Sequence, residues 1–118
     1  MAFDQGLIDW VGEAMAPLGT VTLRKMMGGA TLYLDGTIFA IVADDLLWFK
    51  ADADSNAAWD AADCPRFTVT FKDGKVDTMN YRRAPDDVYD DADALRTWAA
   101  LGVAAGLRAP ARKKKRKA

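Results

Sequence analysis

The sequence has no histidine and only one cysteine, Cys64. A cysteine–histidine nucleophile is therefore excluded, as is a zinc site built from histidine and cysteine ligands. One cysteine cannot form an internal disulfide, which is typical of proteins from a reducing compartment. Long apolar runs are also missing, because the longest, residues 38–43, is far shorter than the roughly 20 residues that cross a membrane. Asp4 stands where a secretory signal would carry a cation, so we expect a cytoplasmic protein without membrane association.

The chain of 118 residues is 51% hydrophobic and 28% charged, which predicts one globular domain with a tail. Seven of its 16 lysines and arginines lie in residues 108–118, so residues 1–107 hold nine cations against all 17 acids, a net charge of −8. We predict a domain over residues 1–107 and a disordered basic tail over residues 108–118. The tail cations are Arg108, Arg112, Lys113, Lys114, Lys115, Arg116 and Lys117. We expect weak nucleic-acid binding by the tail, without sequence preference; a solubilising terminus is the alternative.

Hydrophobic periodicity predicts the order helix, four strands, helix, two strands, helix. The pairs Asp35-Gly36 and Asp73-Gly74 predict tight hairpin turns. Because strands joined by tight turns pair antiparallel, we predict an α+β fold with a single antiparallel sheet of about five to six strands and helices packed on it. The last helix is expected to begin at Asp91 or Asp93 and to end near Gly106. We expect it to pack on the sheet, which favours a monomer or weak dimer.

Carboxylates are abundant but are placed where they have structural roles. The pairs Asp44-Asp45, Asp86-Asp87 and Asp90-Asp91 fall at predicted turns or helix starts, where aspartate is favoured. Residues 52–63 imitate a calcium loop, but Ala57 replaces the required glycine and a strand precedes the segment. We therefore expect no catalytic residue, no metal and no cofactor, and the chain is predicted not to be an enzyme.

Four aromatic residues accompany the predicted strands; they are Tyr33, Trp48, Phe71 and Tyr81. Because the domain is acidic, packing in the core or on a covered sheet face is favoured over base stacking on nucleic acid. Phe67, Val69 and Phe71 alternate with polar residues, which predicts that one face of the last hairpin is buried.

The only adjacent basic residues in the domain are the pairs Arg24-Lys25 and Arg82-Arg83. Neighbours on a strand point to opposite faces of the sheet, so neither pair forms a good phosphate clamp. Arg24 and Arg82 would share a rim if their strands were adjacent.

An ordered set of short motifs runs through most of the chain. They are Arg24-Lys25-Met26-Met27-Gly28-Gly29, Leu32-Tyr33-Leu34-Asp35-Gly36, Phe39-Ala40, Ala43-Asp44-Asp45, Phe49-Lys50 and Met79-Asn80-Tyr81-Arg82, followed by Pro85, Asp93, Leu95 and Trp98. The set resembles the signature of the TfoX N-terminal domain family over about residues 5–107. Met27 stands where the family usually has phenylalanine, and residues 29–31 replace its usual Gly-x-Gly.

The resemblance implies an α+β fold similar to secretion-chaperone-like domains. Members of the competence-regulator type are transcriptional co-regulators of DNA-uptake genes that act with a DNA-binding protein, and they carry a second domain. The resemblance therefore implies a non-enzymatic module that binds a protein partner; a nucleic-acid-associated protein that binds through the basic tail is the alternative. The candidate surface residues of the family motifs are Arg24, Lys25, Gly28, Gly29, Tyr33, Tyr81 and Arg82.

Overall fold

The computed structural model describes residues 5–26, 29–43 and 45–109. The helices are α1 (Gln5–Met15), α2 (Asn56–Ala61) and α3 (Ala92–Arg108), and a short 3₁₀ helix at Asp86–Tyr89 was not predicted. The strands are β1 (Val21–Met26), β2 (Gly29–Leu34), β3 (Thr37–Ala43), β4 (Leu46–Lys50), β5 (Arg66–Thr70) and β6 (Val76–Arg83). None of the helices in the described ranges is long and apolar enough to cross a membrane.

The six strands form one antiparallel sheet in the order β1-β2-β3-β4-β6-β5, which confirms the predicted α+β fold. Between β2 and β3, Asp35 (φ 48°) and Gly36 (φ 89°) both have the positive φ that a type I′ turn requires. The Asp35 carboxylate also accepts a hydrogen bond from the backbone N–H of Thr20 at 3.0 Å. Asp35 therefore adopts the backbone conformation that its turn requires, and its side chain holds the backbone in place at Thr20, just before β1.

The three helices lie on one side of the sheet, which we call the inner face. Val11 of α1, Trp59 of α2 and Leu95 of α3 are fully buried in one core with Leu32 and Phe39 of the sheet. Burial of each such side chain contributes about 1.5–3 kcal/mol. One hydrophobic core therefore unites every helix with the central strands.

Glycines bring α3 close to β3. A Cβ atom on Gly102 would lie 2.6 Å from the carbonyl oxygen of Phe39, and one on Gly106 would lie 2.1 Å from that of Ile38. Real Cβ atoms do not approach backbone oxygens so closely. The expectation that the last helix packs on the sheet is confirmed, and its small residues are explained by this close approach.

The end of α3 corrects one sequence prediction. Arg108, expected in the disordered tail, is the last residue of the helix, which was expected to end near Gly106. The Arg108 guanidinium donates to both carboxylate oxygens of Asp52, at 2.7 and 2.8 Å, and lies 3.2 Å from Asp54. Assignment of Arg108 to the tail is therefore wrong, because two more helical residues carry its side chain to the exit of β4. The other predicted tail cations lie outside the described residues.

This ion pair makes a specific pH prediction. The hydrogen bonds from Arg108 are the main reason that the pKa of Asp52 falls from 3.8 to about 2. Because the folded-state pKa lies below the unfolded value, the stabilisation is complete above about pH 4 and is lost as the pH falls toward 2. We expect Arg108→Ala to raise the pKa of Asp52 toward 3.8 in a carboxyl NMR titration. An unchanged pKa in this variant would contradict the assignment.

The last hairpin corrects a second prediction. Phe71 is 48% exposed, and Met79, the cross-strand partner of Phe67, is 39% exposed, so the expected burial of one hairpin face is wrong beyond Phe67. The physical reason is the register: β4 pairs only with residues 81–83 at the end of β6. Phe67 of β5 still packs against Trp48 of β4, but the tip of the β5–β6 hairpin projects beyond β4, where no helix or strand among the described residues covers it.

Candidate interaction surface

The side of the sheet opposite the helices, which we call the outer face, is lined by strand residues alone in the described part of the chain. Cross-strand partners share a face, and Trp48 is paired with both Ile41 and Arg83, while Lys50 is paired with Tyr81. These five residues therefore lie side by side in the middle of the outer face. The face also carries Thr22, Arg24, Thr31, Tyr33, Ile38, Ala43, Leu46, Phe67 and Met79.

Aromatic side chains form a second, smaller cluster in the centre of the outer face. Ile41, Trp48 and Tyr81 are 2%, 9% and 7% exposed, because neighbouring side chains cover them. The rings of Trp48 and Phe67 meet edge-on at 5.0 Å, and the Trp48 indole N–H donates to the carbonyl oxygen of Ala43 at 3.1 Å. The cluster therefore has a fixed geometry, and its partly exposed border consists of Ile38, Ala43, Leu46 and Phe67.

The outer face differs in charge from the rest of the domain. Arg24, Lys50 and Arg83 lie on it, whereas among the described strand residues only Asp77, on the projecting hairpin, adds an acid to it. The Lys50 ammonium lies 5.2 Å from the centre of the Tyr81 ring, within cation–π range. The face is thus basic and aromatic, although residues 1–107 have a net charge of −8.

The structure divides the candidate residues of the family motifs. Arg24, Tyr33 and Tyr81 share the outer face, with Tyr33 partly exposed. Lys25 lies in register with buried Ala30 and so belongs to the inner side of β1. Gly28 lies outside the described residues.

Gly29 has a packing role at the start of β2. A Cβ atom there would lie 2.1 Å from the carbonyl oxygen of Val42 on β3. The residue therefore permits close approach of two backbones, which explains why glycine occupies this position.

Arg82 is buried on the inner face and is 1% exposed. Its guanidinium donates to Asp60 at 2.7 Å, to the carbonyl oxygen of Cys64 at 3.0 Å, to Asn80 at 3.0 Å and to Asn56 at 3.1 Å. These bonds tie α2 and the segment after it to β6. Arg82 therefore holds the fold together.

The condition for a rim shared by Arg24 and Arg82, which was that their strands be adjacent, is not met. Three strands separate β1 from β6 in the sheet, and the two side chains lie on opposite faces. The second exposed arginine on the outer face is instead Arg83, which is not among the candidate residues of the family motifs. The sequence does contain a signal for the position of Arg83. Side chains alternate between the two faces along a strand, so Arg83 must lie on the same face as Tyr81.

The carboxylates and Cys64 occupy structural positions. Asp52 and Asp54 face Arg108, and β4 precedes them, which confirms the predicted strand before this segment. Within the described residues, no three histidine, cysteine or acidic side chains are placed to hold a metal ion. Cys64 is buried, and burial raises the pKa of its thiol. A thiol with a raised pKa is a weaker nucleophile at neutral pH, because less of it is thiolate.

Comparisons with known proteins agree with the motifs. Protein Sxy from Escherichia coli (strain K12) is 31% identical over 77 residues, which make up 65% of this chain and 36% of that relative. The aligned part of the chain therefore spans about a third of the length of Sxy. Residues 13–106 match the TfoX N-terminal domain family, which includes every strand and most of α3. The chain belongs to the TfoX N-terminal domain family.

Proposed function

We propose that this chain is a non-enzymatic, cytoplasmic regulatory module that binds a protein partner through its outer face. The observation that supports the proposal is a sheet face with a fixed aromatic cluster and three cations in an otherwise acidic domain. Sheets are usually covered by a second layer of structure on each apolar face. The partner would supply that layer here, and its surface would be acidic. As in competence regulators, such a partner would be a DNA-binding protein.

Charge reversal on the outer face tests this proposal. Proteins captured from native cells by the full chain are identified and purified, and their affinities are measured. We expect the double variant Arg24→Glu/Arg83→Glu to bind at least about tenfold more weakly, because both of these outer-face charges then repel an acidic partner. Lys72→Glu makes the same kind of change in the turn of the projecting hairpin and should bind normally. Equal binding by all three proteins would contradict the proposal.

A second candidate function is nucleic-acid binding through the tail. Residues 112–117 are six consecutive cations, a composition that favours phosphate backbones without reading their sequence. The same capture experiment separates the two candidates when nuclease treatment and a chain ending at Ala109 are added. Loss of the partner after either treatment would favour the tail over the outer face.

A further inference from the structure

A groove of about 560 Å³ runs between α1 and β1 on the inner side of the sheet. Ile8 of α1, together with Val21 and Leu23 of β1, supplies its apolar surface. The other lining residues are Gln5, Asp9, Gly12, Glu13 and Ala16. Gly12 leaves open space where a side chain would stand, since a Cβ atom there would meet nothing within 4 Å. The groove therefore has a helix for one wall and an edge strand for the other.

The open edge of β1 offers backbone hydrogen bonds to an extended segment. The backbone N–H of Asp35 donates to the carbonyl oxygen of Thr20 at 2.9 Å, and the Thr20 N–H donates to the Asp35 carboxylate, so Thr20 directs its backbone groups toward the β2 side. Because the backbone groups of alternate strand residues point the same way, Thr22 also directs its backbone groups toward β2. Val21 and Leu23 then direct their N–H and C=O groups away from the sheet. In the strand order, β1 has no neighbour on that side within the described residues.

The charges of the groove select the chemistry of its occupant. Asp9 and Glu13 are one helical turn apart on α1, and both line the groove. Residues four apart on a helix have Cβ atoms about 5–6 Å apart, and alternate residues of a strand are about 7 Å apart. Two lysines or arginines at alternate positions of an extended segment therefore match the two carboxylates. Their aliphatic stems would cover the partly exposed Val21 and Leu23 while their charged ends reach the acids.

We propose that the α1–β1 groove binds an extended segment of a partner protein that carries lysine or arginine at alternate positions. The segment adds to β1 as a seventh strand, and directs its basic side chains along α1. This site is separate from the outer face, because Val21 and Leu23 point to the other side of the sheet. A failure of this proposal would therefore leave the function proposed above untouched, and the reverse also holds.

The proposal is tested by measuring how tightly fluorescent nine-residue peptides bind to the full chain. One peptide alternates lysine with threonine, a second replaces each lysine by glutamate, and a third has the lysines in one block. We expect the alternating lysine peptide to bind at least about tenfold more tightly than either control, because only it matches both charge and spacing. Its binding should shift the amide NMR signals of α1 and β1. Equal binding of the blocked peptide, or no binding, would overturn the proposal.

Two pairs of variants separate the edge strand from the charges. Leu23→Pro and Leu23→Ala both remove the leucine side chain, but only Leu23→Pro removes the outward N–H. We expect Leu23→Pro to bind the peptide about tenfold more weakly than Leu23→Ala does, and equal affinities would contradict strand addition. If Leu23→Pro fails to fold, the charges of the groove are tested instead. Glu13→Lys is expected to weaken binding of the alternating lysine peptide, whereas Asp73→Lys, in the turn of the projecting hairpin, is expected to leave it unchanged. If removal of residues 110–118 shifts the groove amides without any peptide, the tail is the occupant, and a partner segment is excluded.

Discussion

Replacement of Arg82 by alanine is expected to lower the free energy of unfolding by about 3–4 kcal/mol. The arginine is 1% exposed and satisfies four acceptors, two of them on α2. Without it, the carbonyl oxygen of Cys64 and the amide oxygens of Asn56 and Asn80 lose donors in a site with little access to water. The Asp60 carboxylate is largely exposed, so its share of the loss is small. Urea denaturation followed by tryptophan fluorescence measures the effect.

The neighbouring arginine provides the control. Arg83 is exposed on the outer face, so Arg83→Ala should change the free energy of unfolding by no more than about 0.5 kcal/mol. Arg82→Lys keeps the charge but not the planar fork, and an ammonium group cannot reach acceptors on several sides at once. We expect it to lose about 2 kcal/mol. If Arg82→Ala were no more destabilising than Arg83→Ala, the network would have no role in stability.

Much of the fold follows from local sequence patterns. The periodicity of apolar residues and the Asp35-Gly36 turn predicted the order of the elements and the antiparallel pairing of consecutive strands, and the structure confirms both. These features depend on neighbours in the chain, and sequence patterns record such neighbours well. Asp91 also caps α3 as expected, because its carboxylate accepts from the backbone N–H groups of Asp93 and Ala94.

Long-range order was harder to predict. The placement of β6 between β4 and β5 brings Lys50 beside Tyr81 and Trp48 beside Arg83. No local pattern in the sequence indicates that β6 lies between β4 and β5. The acidic composition of the whole domain therefore gave no indication that the outer face is basic. Arg82 was selected as a surface residue for the same reason: its partners come from α2, about 20 residues earlier in the chain.

Substitution of Gly102 by alanine is expected to destabilise the protein by about 2–3 kcal/mol, although alanine is the better helix former. The added methyl group would lie 2.6 Å from the carbonyl oxygen of Phe39, so α3 must move away from β3. That movement loosens the packing of Leu95 and Trp98, which contact the core on the same helix. Thermal unfolding of the variant, followed by circular dichroism, measures the loss.

A second glycine in a helix gives the opposite sign. Gly12 lies in α1, where an added Cβ atom would meet nothing within 4 Å. Gly12→Ala should therefore stabilise the protein by about 0.5–1 kcal/mol, because only the helix propensity changes. The two variants make the same chemical change on helices of the same domain, so their difference measures the contact between α3 and β3 alone. If Gly102→Ala were also stabilising, α3 would not approach β3 through its glycines, and the small residues of the helix would be free to contact another surface.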